Sequence, residues 1–318
     1  MLMKYKRRIK RTLWLVLLVF IFMNITAFFH AYKFTHFDVS KTKTNATDLS
    51  FGQKLNLALF GISNPRPQNK ALPDTAYETV RLRSNKEIEC WLIKVKAPKG
   101  TVVLFHGYGG EKSSMLDKAA IFRTLGYHTL LVDFMGAGGS EGNQTTIGFK
   151  EAQQVKTSFE YLKETGENNI VLFGTSLGAA AIMKAMNDYQ LPVCSVIIEC
   201  PFGTMLQTVK NRFSTMGIPT FPMAHLLVFW GGVQNGFNAF AHNPAAYAKG
   251  IKRPTLLLYG AKDQKVTKEE TLSIYTNLAG PKQLVTFPSA GHENYLLNSQ
   301  KEWTDQIESF LQRDKPNQ

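Results

Sequence analysis

Residues 169–181 read NIVLFGTSLGAAA, and this stretch decides the fold. An apolar run is followed by Gly-Thr-Ser-Leu-Gly and then by small residues that favour a helix. This order predicts a strand, a sharp turn that carries Ser176, and a helix. Gly174 and Gly178 flank the serine because bulky side chains would crowd so tight a turn. Since a five-residue motif also arises by chance, the rest of the chain must decide whether Ser176 does chemistry or sits on an ordinary strand-to-helix turn.

The N-terminus combines basic residues with a long apolar run. Six lysines and arginines lie within residues 1–11, and the run from Leu13 to Phe29 is interrupted only by Asn24 and Thr26. As a helix this run spans about 25 Å, and it exceeds the ~7–15 apolar residues of a cleaved signal peptide. We therefore predict a basic cytoplasmic tail at 1–11 and a transmembrane signal anchor at 12–31. The positive-inside rule then places the remaining chain on the extracytoplasmic side of the cell membrane.

Charge and cysteine content exclude several classes of protein. The formal net charge is +13, of which the first eleven residues supply six, and no dense basic block follows. A nucleic-acid-binding function is therefore not predicted. Cys90, Cys194 and Cys200 form no C-x-x-C pair, so we expect no disulfide framework. No HExxH, EF-hand or paired ligand spacing appears, and we predict neither a catalytic metal nor a cofactor.

The remaining chain alternates strand-like and helix-like segments. We interpret 32–76 as a linker with at most one helix, near 51–60, and 77–318 as one α/β domain. The predicted strands are 77–83, 88–95, 101–105, 129–133, 170–173, 195–199, 255–259 and 283–287, and the predicted helices include 113–125, 149–165, 268–278 and 301–312. This alternation predicts a mostly parallel twisted sheet with helices on both faces and an antiparallel pair of strands at one edge. Catalytic loops in such sheets follow the carboxyl ends of the strands.

A glycine-rich segment follows the third predicted strand. Residues 106–110 read HGYGG, and a loop with so few side chains lets backbone N–H groups point into a cavity. An oxyanion hole needs such donors about 3 Å from the developing negative charge. We predict the N–H groups of Tyr108 and Leu177 as these donors. A phosphate-binding loop is the alternative, but neither GxGxxG nor GxxxxGK[ST] is present.

An acid and a histidine complete the pattern downstream. Asp263 follows the strand 255–259, and His292 follows the strand 283–287. Ser176, Asp263 and His292 therefore occur in the chain order expected after a G-x-S-x-G turn. A neutral imidazole would take the proton of the serine, and the carboxylate would hold the imidazole in the correct tautomer. Glu199, at the end of another strand, is a competing candidate for the acid.

These residues give the chain a resemblance to a known family. From about residue 77 to 312 it resembles the α/β-hydrolase superfamily, particularly its membrane-anchored lipase-, esterase- and peptidase-like members. The matching segments are His106-Gly107, Asp133 with Gly136, Gly139, Ser140 and Gly142, the turn at 174–178, Gly260 with Asp263, and Gly291-His292. The resemblance implies an acyl-enzyme mechanism on an ester, thioester or amide. Residues 134–137 depart from the family pattern, and we interpret Asp133 as a structural loop acid.

A long insertion separates two of the predicted strands. Residues 201–250 exceed a plain crossover and are rich in methionine and aromatic residues. We predict a small cap that forms an apolar substrate pocket, with Phe229 and Trp230 in its lining. The alternative is a group of helices that only pack on the core.

Together these patterns predict a membrane-anchored serine hydrolase that cleaves an ester with an apolar acyl part. An amidase, peptidase or thioesterase would use the same three residues. A non-catalytic binding module on this fold would not need Ser176, Asp263 and His292 together, and a dehalogenase would need a carboxylate in place of the serine. The expected partners are a small or lipid-like acyl substrate and the membrane.

Overall fold

The computed structural model describes residues 2–40 and 50–313. Helix α1, Leu2–Thr35, runs without a break through the predicted basic tail and anchor. Within it, Tyr5–Thr35 is long and apolar enough to cross a membrane. Helix α2, Phe51–Phe60, begins with a capping box formed by Ser50 and Gln53, as expected near 51–60. Residues 41–49 of the predicted linker lie outside the described residues.

The segment interpreted as a linker contacts the rest of the protein closely. The guanidinium of Arg66 donates to the carbonyl oxygens of Gly138, Ser140 and Gly142. Phe37 is buried, and its amide donates to the carbonyl of Asn143. The described parts of 32–76, which the sequence analysis interprets as a linker, therefore also pack against the folded domain.

The described strands form an eight-stranded sheet in the order β1-β2-β4-β3-β5-β6-β7-β8. The strands are β1 Glu78–Arg83, β2 Glu87–Ile93, β3 Thr101–Phe105, β4 His128–Val132, β5 Ile170–Thr175, β6 Ser195–Glu199, β7 Thr255–Gly260 and β8 Lys282–Phe287. β2 pairs antiparallel with β1 and β4, and the remaining pairs are parallel. This is the mostly parallel sheet that the sequence predicts. Because Thr175 pairs with Glu199 and Gly174 with Phe105, the loops after β3, β5 and β6 lie together at one edge.

Helices cover both faces of the sheet, as predicted. They are α3 Leu116–Thr124, α4 Glu151–Glu164, α5 Leu177–Tyr189, α9 Lys268–Asn277, α10 Tyr295–Asn298 and α11 Gln300–Arg313. Apolar residues of α4, α5 and α9 share one buried cluster, whereas those of α3 and α11 share the other. The predicted helix 113–125 differs at its start, where Lys112–Met115 forms a 3₁₀ turn before α3. Alternating side chains of the central strands contribute to both clusters, which fixes the sheet between the two helix layers.

The insertion between β6 and β7 is helical. It contains α6 Met205–Thr215, α7 Met223–Asn235 and α8 Pro244–Tyr247. The Thr204 side chain caps the start of α6 by accepting from the amide of Gln207. α7 packs against α6 on one side and against α1 on another. The insertion therefore connects the N-terminal helix with the edge of the sheet where the functional loops meet.

Candidate active site

Ser176 occupies a strained backbone position between β5 and α5. Its φ and ψ are 51° and −104°, a conformation that non-glycine residues rarely adopt. A Cβ on Gly174 would lie 2.6 Å from the carbonyl carbon of Gly178, and one on Gly178 would lie 2.4 Å from the carbonyl oxygen of Phe105. Both positions therefore require glycine. The sharp turn predicted from the motif lifts Ser176 out of the end of the strand and places it at the start of a helix.

Three side chains form a continuous hydrogen-bonded chain. The Nε2 atom of His292 lies 3.1 Å from the Oγ atom of Ser176. Its Nδ1 atom lies 2.7 Å from Oδ2 of Asp263. With the proton on Nδ1 donated to the carboxylate, the Nε2 lone pair is free to accept from the serine hydroxyl. The structure therefore brings together the three residues that the chain order singled out.

Asp263 is held by its own loop. Its Oδ1 atom accepts from the amides of Lys265, at 2.8 Å, and Val266, at 2.9 Å. The carboxylate is buried, so these two donors satisfy the oxygen that does not face the imidazole. Such a carboxylate can fix the ring orientation of His292 without itself moving.

Glu199, the competing acid, contacts other groups. Its Oε2 atom accepts from the indole Nε1 of Trp303 at 3.0 Å. Its Oε1 atom lies 3.3 Å from Nζ of Lys118, which makes an ion pair although the geometry falls short of a hydrogen bond. Both charged side chains of this pair are almost fully buried. Glu199 thus holds α3 and α11 to the end of β6 and does not contact His292.

Asp133 organises the loop after β4. It accepts from the backbone amide and the ammonium group of Lys112, from Asn69 and from the amide of Gly139. Burial alone would raise the pKa of Asp133, but the nearby Lys112 charge and these hydrogen bonds hold it below its usual value. The carboxylate stays ionised as a structural anchor, in agreement with the interpretation of Asp133 as a loop acid.

The glycine-rich loop after β3 is held by a buried histidine. Nε2 of His106 accepts from the amide of Phe134 at 3.1 Å, and its Nδ1 lies 2.8 Å from the carbonyl of Gly107. Burial lowers the pKa of His106, which keeps its ring neutral and able to both donate and accept. The loop leads to Tyr108, which lines the same cavity as Ser176 and Leu177. Both residues predicted to supply oxyanion donors therefore lie beside the serine.

The cavity at Ser176 has a mostly apolar wall contributed by three regions. Its lining comprises Phe34, Tyr108, Ile147, Ser176, Leu177, Phe202, Met205, Thr208, Val209, Arg212, Lys265, Val266 and His292. Sequence reasoning missed most of this wall. The spacing of Met205, Val209 and Arg212 along α6 could have revealed one lining face, since residues three and four apart share a side of a helix.

The prediction that Phe229 and Trp230 line this cavity is wrong. Trp230 lies on α7, where its indole Nε1 donates to Oδ1 of Asn24 at 3.2 Å and its ring meets Phe28 edge to face. Phe229 is 46% exposed on the same helix. The uncharged run on α7 therefore packs beside the N-terminal helix, and α6 supplies the cap's contribution to the cavity.

The end of α1 reaches the site. The ring of Phe34 stacks on Tyr108 with centroids 4.6 Å apart. The Tyr108 hydroxyl donates to the carbonyl of Phe34 at 2.8 Å and accepts from Asn64 at 3.1 Å. Burial raises the pKa of Tyr108, so this hydroxyl remains a donor. The apolar N-terminal helix is thus physically joined to a residue of the predicted oxyanion loop.

Arg212 and Lys265 are cations in the cavity wall, and neither has a carboxylate partner within ion-pair distance among the described residues. The Arg212 guanidinium donates to the carbonyl of Thr208 at 2.9 Å. Burial lowers the pKa of Arg212, but a guanidinium remains charged at any ordinary pH.

The described part of the chain contains no group of three or more side chains suited to hold a metal ion, and Cys90, Cys194 and Cys200 are free thiols.

Comparison with known proteins places this architecture in a wider context. The sequence signature of a family described as serine aminopeptidase, S33, matches residues 96–246, slightly under half of the chain. The alpha/beta hydrolase domain-containing protein WAV2 of Arabidopsis thaliana is 24% identical over 277 residues, which cover 81% of this chain and 86% of that protein. Lysophosphatidylserine lipase ABHD12 of Xenopus tropicalis is 25% identical over 215 residues, which cover 62% of this chain and 51% of the lipase.

Solved structures of other proteins have a similar fold. The esterase Pf2001 of Pyrococcus furiosus superposes with a TM-score of 0.65 at 21% identity, covering 78% of this chain and 97% of the esterase. The sheet order and the strained serine between strand and helix agree with this similarity. The chain therefore has the α/β-hydrolase fold, as its resemblance at the sequence level implied.

Proposed function

We propose that the protein is a membrane-anchored serine hydrolase that cleaves an ester with an apolar acyl part. The observation that carries this proposal is the hydrogen-bonded chain from Ser176 through His292 to Asp263. A structural role would not require a strained serine, an imidazole nitrogen within hydrogen-bond distance of it and a buried carboxylate on the other side of the ring. A non-catalytic binding module on the same fold would have no use for this arrangement.

In the proposed reaction, Oγ of Ser176 attacks the carbonyl carbon of the ester while Nε2 of His292 takes its proton. Asp263 stabilises the imidazolium that results. The imidazolium then protonates the departing alcohol oxygen, which leaves an acyl group on Ser176. Water attacks that acyl group with His292 again as the base, and the imidazolium then returns the proton to Oγ of Ser176 as the carboxylic acid leaves.

Negative charge on the carbonyl oxygen would be met by the amides of Tyr108 and Leu177. The amide of Leu177 belongs to the first residue of α5, where helical N–H groups have no partner within the helix. The positive end of the helix dipole adds to the attraction. Donors fixed before the reaction are worth more than flexible ones because they need no reorganisation at the transition state.

The apolar wall favours an acyl substituent over a charged one at this position. Met205, Val209 and Phe202 present hydrocarbon surface beside Ser176. A relative described as a lysophosphatidylserine lipase and a structural neighbour described as an esterase support ester cleavage. The match to a family described as serine aminopeptidase supports the alternative, an amide or peptide substrate handled by the same three residues.

Membrane anchoring is the second part of the proposal. The apolar part of α1 is exposed along most of its length, as a helix surrounded by lipid would be. The excess of basic residues before this part would orient the N-terminus toward the cytoplasm and the catalytic domain to the other side. Protease added to cells without an outer barrier should then digest the domain, whereas full protection would place it in the cytoplasm.

A pair of chromogenic substrates tests the type of bond cleaved. p-Nitrophenyl butyrate and the matching p-nitroanilide share the acyl group and the nitrophenyl ring, and they differ in the bond that is cleaved. We expect the ester to show the larger kcat/KM after each is divided by its spontaneous rate of hydrolysis. A larger normalised value for the anilide would assign the protein to the amidases or peptidases.

Acyl chain length tests the pocket. Each buried methylene adds about 0.8 kcal/mol, so kcat/KM should rise up to roughly fourfold per methylene until the cavity is filled. Val209→Trp, which narrows the cavity, should move the optimum toward acetyl esters. Trp230→Ala serves as the matched control, because this residue packs on α1, and it should leave the chain-length profile unchanged. A profile altered by Trp230→Ala but not by Val209→Trp would contradict the assignment of the pocket.

A further inference from the structure

Helix α7 runs beside α1 in the same direction. Trp230 donates to the side chain of Asn24 at 3.2 Å, and Gln234 donates to the carbonyl of Phe28 at 2.8 Å. Four residues along one helix thus correspond to four residues along the other, which means that the two helices are parallel. Asn24 interrupts the apolar run of α1, and this contact gives its side chain a partner that lipid could not supply.

These two contacts show which part of α7 lies level with which part of the apolar run in α1. Seven residues before Trp230 is Met223, and seven residues before Asn24 is Leu17. Leu17 lies twelve residues before Phe29, the end of the apolar run, which is about 18 Å along a helix. The exposed fractions of the side chains agree with this alignment. Leu17 and Ile21, on the side of α1 that faces α7, are each 44% exposed, whereas Val16 and Leu18 are each 60% exposed. The start of α7 therefore lies level with Leu17, inside the predicted membrane span and about 18 Å from the Phe29 end of the apolar run.

The cap's composition fits that depth. From Phe213 to Ala248 the sequence contains no Asp, Glu, Lys or Arg. At the chain's overall charged fraction of 19%, a segment of this length would hold about seven such residues. Apolar side chains at the turn between α6 and α7 and along α7 are exposed: Met216, Ile218, Phe221, Phe229 and Val233. Phe221 is the most exposed of them, at 74%.

We propose that the hairpin of α6 and α7, with the turn 216–222 at its tip, is inserted into the membrane leaflet beside α1. The inference rests on the proposed anchoring of α1 and adds a second membrane contact to it. Phe229 and Val233 sit one position before the α1-facing residues Trp230 and Gln234, so their stripe lies next to the α1 contact on the helix surface. The lipid-exposed surface of α1 thus continues without a break onto the cap.

Insertion of the hairpin defines a route for the substrate. Met205, Val209 and Arg212 of α6 line the cavity at Ser176, and Phe34 at the end of α1 lines it too. The two elements that enter the membrane in this proposal are therefore also walls of the cavity. An ester with its acyl chain in the bilayer can reach Ser176 between them without crossing water, and hydrocarbon that stays in an apolar environment avoids the cost of hydration.

Fluorescence quenching in bilayers tests the insertion directly. The full chain is reconstituted into vesicles whose lipids carry bromine on their acyl chains, and Phe221→Trp is compared with Leu272→Trp. Leu272 is an exposed apolar residue on α9. This helix packs against α8 and is far from α1 in the sequence. The fluorescence that Phe221→Trp adds to the native protein should be largely lost in brominated lipid, and that of Leu272→Trp should be retained.

Quenching of Trp14 distinguishes the proposed anchoring of α1 from the proposed insertion of the hairpin. If the native protein is quenched more than its Trp14→Phe variant, α1 lies in the bilayer. Quenching of Trp14 without quenching of the Phe221→Trp variant would overturn the insertion of the hairpin and leave the anchor in place. The same result is expected if a second copy of the chain covers the hairpin, and it would likewise overturn the proposal. Absence of quenching at Trp14 would overturn the anchor and the insertion together.

A functional measurement complements the optical one. Phe221→Lys should lower the ratio of kcat/KM for a long-chain ester in vesicles to that for a short soluble ester by about tenfold, because a charge resists insertion into lipid. Leu272→Lys adds the same charge elsewhere and should leave the ratio unchanged. An equal ratio in both variants would contradict access from the bilayer. Hydrolysis of the soluble ester by the native protein, with its loss in Ser176→Ala, tests the proposed hydrolase activity separately.

Discussion

Asp263 and Glu199 are buried carboxylates at the carboxyl ends of neighbouring parallel strands, β7 and β6. Asp263 accepts from two amides of its own loop and faces His292. Glu199 instead binds the indole of Trp303 and pairs with Lys118. A position at the end of a strand therefore does not by itself assign the acid of the site. The partner that the following loops bring to each carboxylate makes the difference.

The two carboxylates are linked only indirectly. Lys118 donates to the side chain of Asn294 at 2.5 Å, and Asn294 lies two residues after His292. Asn294 in turn donates to Asp117 at 2.6 Å. Glu199 can therefore influence the loop of His292 through Lys118, as a positioning residue, whereas Asp263 acts on the imidazole itself. The two should respond very differently to substitution.

Asp263→Asn should have the largest effect on turnover. The amide would hold His292 in the wrong tautomer, and kcat for a short soluble ester should fall by roughly 10³–10⁴-fold. The melting temperature, measured in parallel, shows whether the variant is folded. A folded variant that loses less than tenfold would remove Asp263 from the mechanism.

Glu199→Gln should change stability more than turnover. Removing one partner of a buried ion pair leaves the other uncompensated, which costs about 3–5 kcal/mol of unfolding free energy. The loss in kcat should remain within several-fold, since His292 keeps its contact with Asp263. If Glu199→Gln impaired a folded protein as severely as Asp263→Asn, the acid would be Glu199.

The double variant Lys118→Met with Glu199→Gln tests whether the unpaired charge of Lys118 causes the loss of stability in Glu199→Gln. Because both charges are then removed, the melting temperature should recover part of the loss seen for Glu199→Gln alone. No recovery would mean that Lys118 is sufficiently stabilised without Glu199, most directly by its hydrogen bond to the side-chain oxygen of Asn294.

Trp303→Phe should have the smallest effect. It removes the indole donor to Glu199 and keeps most of the apolar volume in the cluster around α11. The buried carboxylate then lacks one hydrogen bond, at a cost of about 1–3 kcal/mol. Turnover of the short ester should remain within a factor of about two, which rate measurements on the folded variant can check.

Much of this architecture could be predicted from the sequence because the relevant signals are local. The strands that end at Thr175, Glu199 and Gly260 are short apolar runs followed by small or polar residues, and the structure places them within one or two residues of the prediction. The residues of the site follow these strands in a fixed order. Parallel strands bring such loops to one edge, so Ser176, Asp263 and His292 meet without any long-range information.

Sequence-based prediction fails where contacts between distant segments decide the location of a side chain. The uncharged aromatic run around Trp230 suggests a substrate surface, but the partner of Trp230 is Asn24, 206 positions earlier. Phe34 falls in the predicted linker 32–76, yet it stacks on Tyr108. Helix packing between α1 and α7 has no signature in either segment alone. An apolar surface can therefore be recognised in a sequence before its partner can.

Covalent labelling of the serine tests the central claim most directly. A fluorophosphonate probe forms a bond to a serine oxygen only where a base activates that oxygen, and mass spectrometry of the digested protein identifies the labelled residue. We predict a label on Ser176 in the native protein, none in Ser176→Ala, and strongly slowed labelling in Asp263→Asn. A label on another serine, or unchanged labelling of Ser176→Ala, would contradict the assignment of Ser176 as the nucleophile.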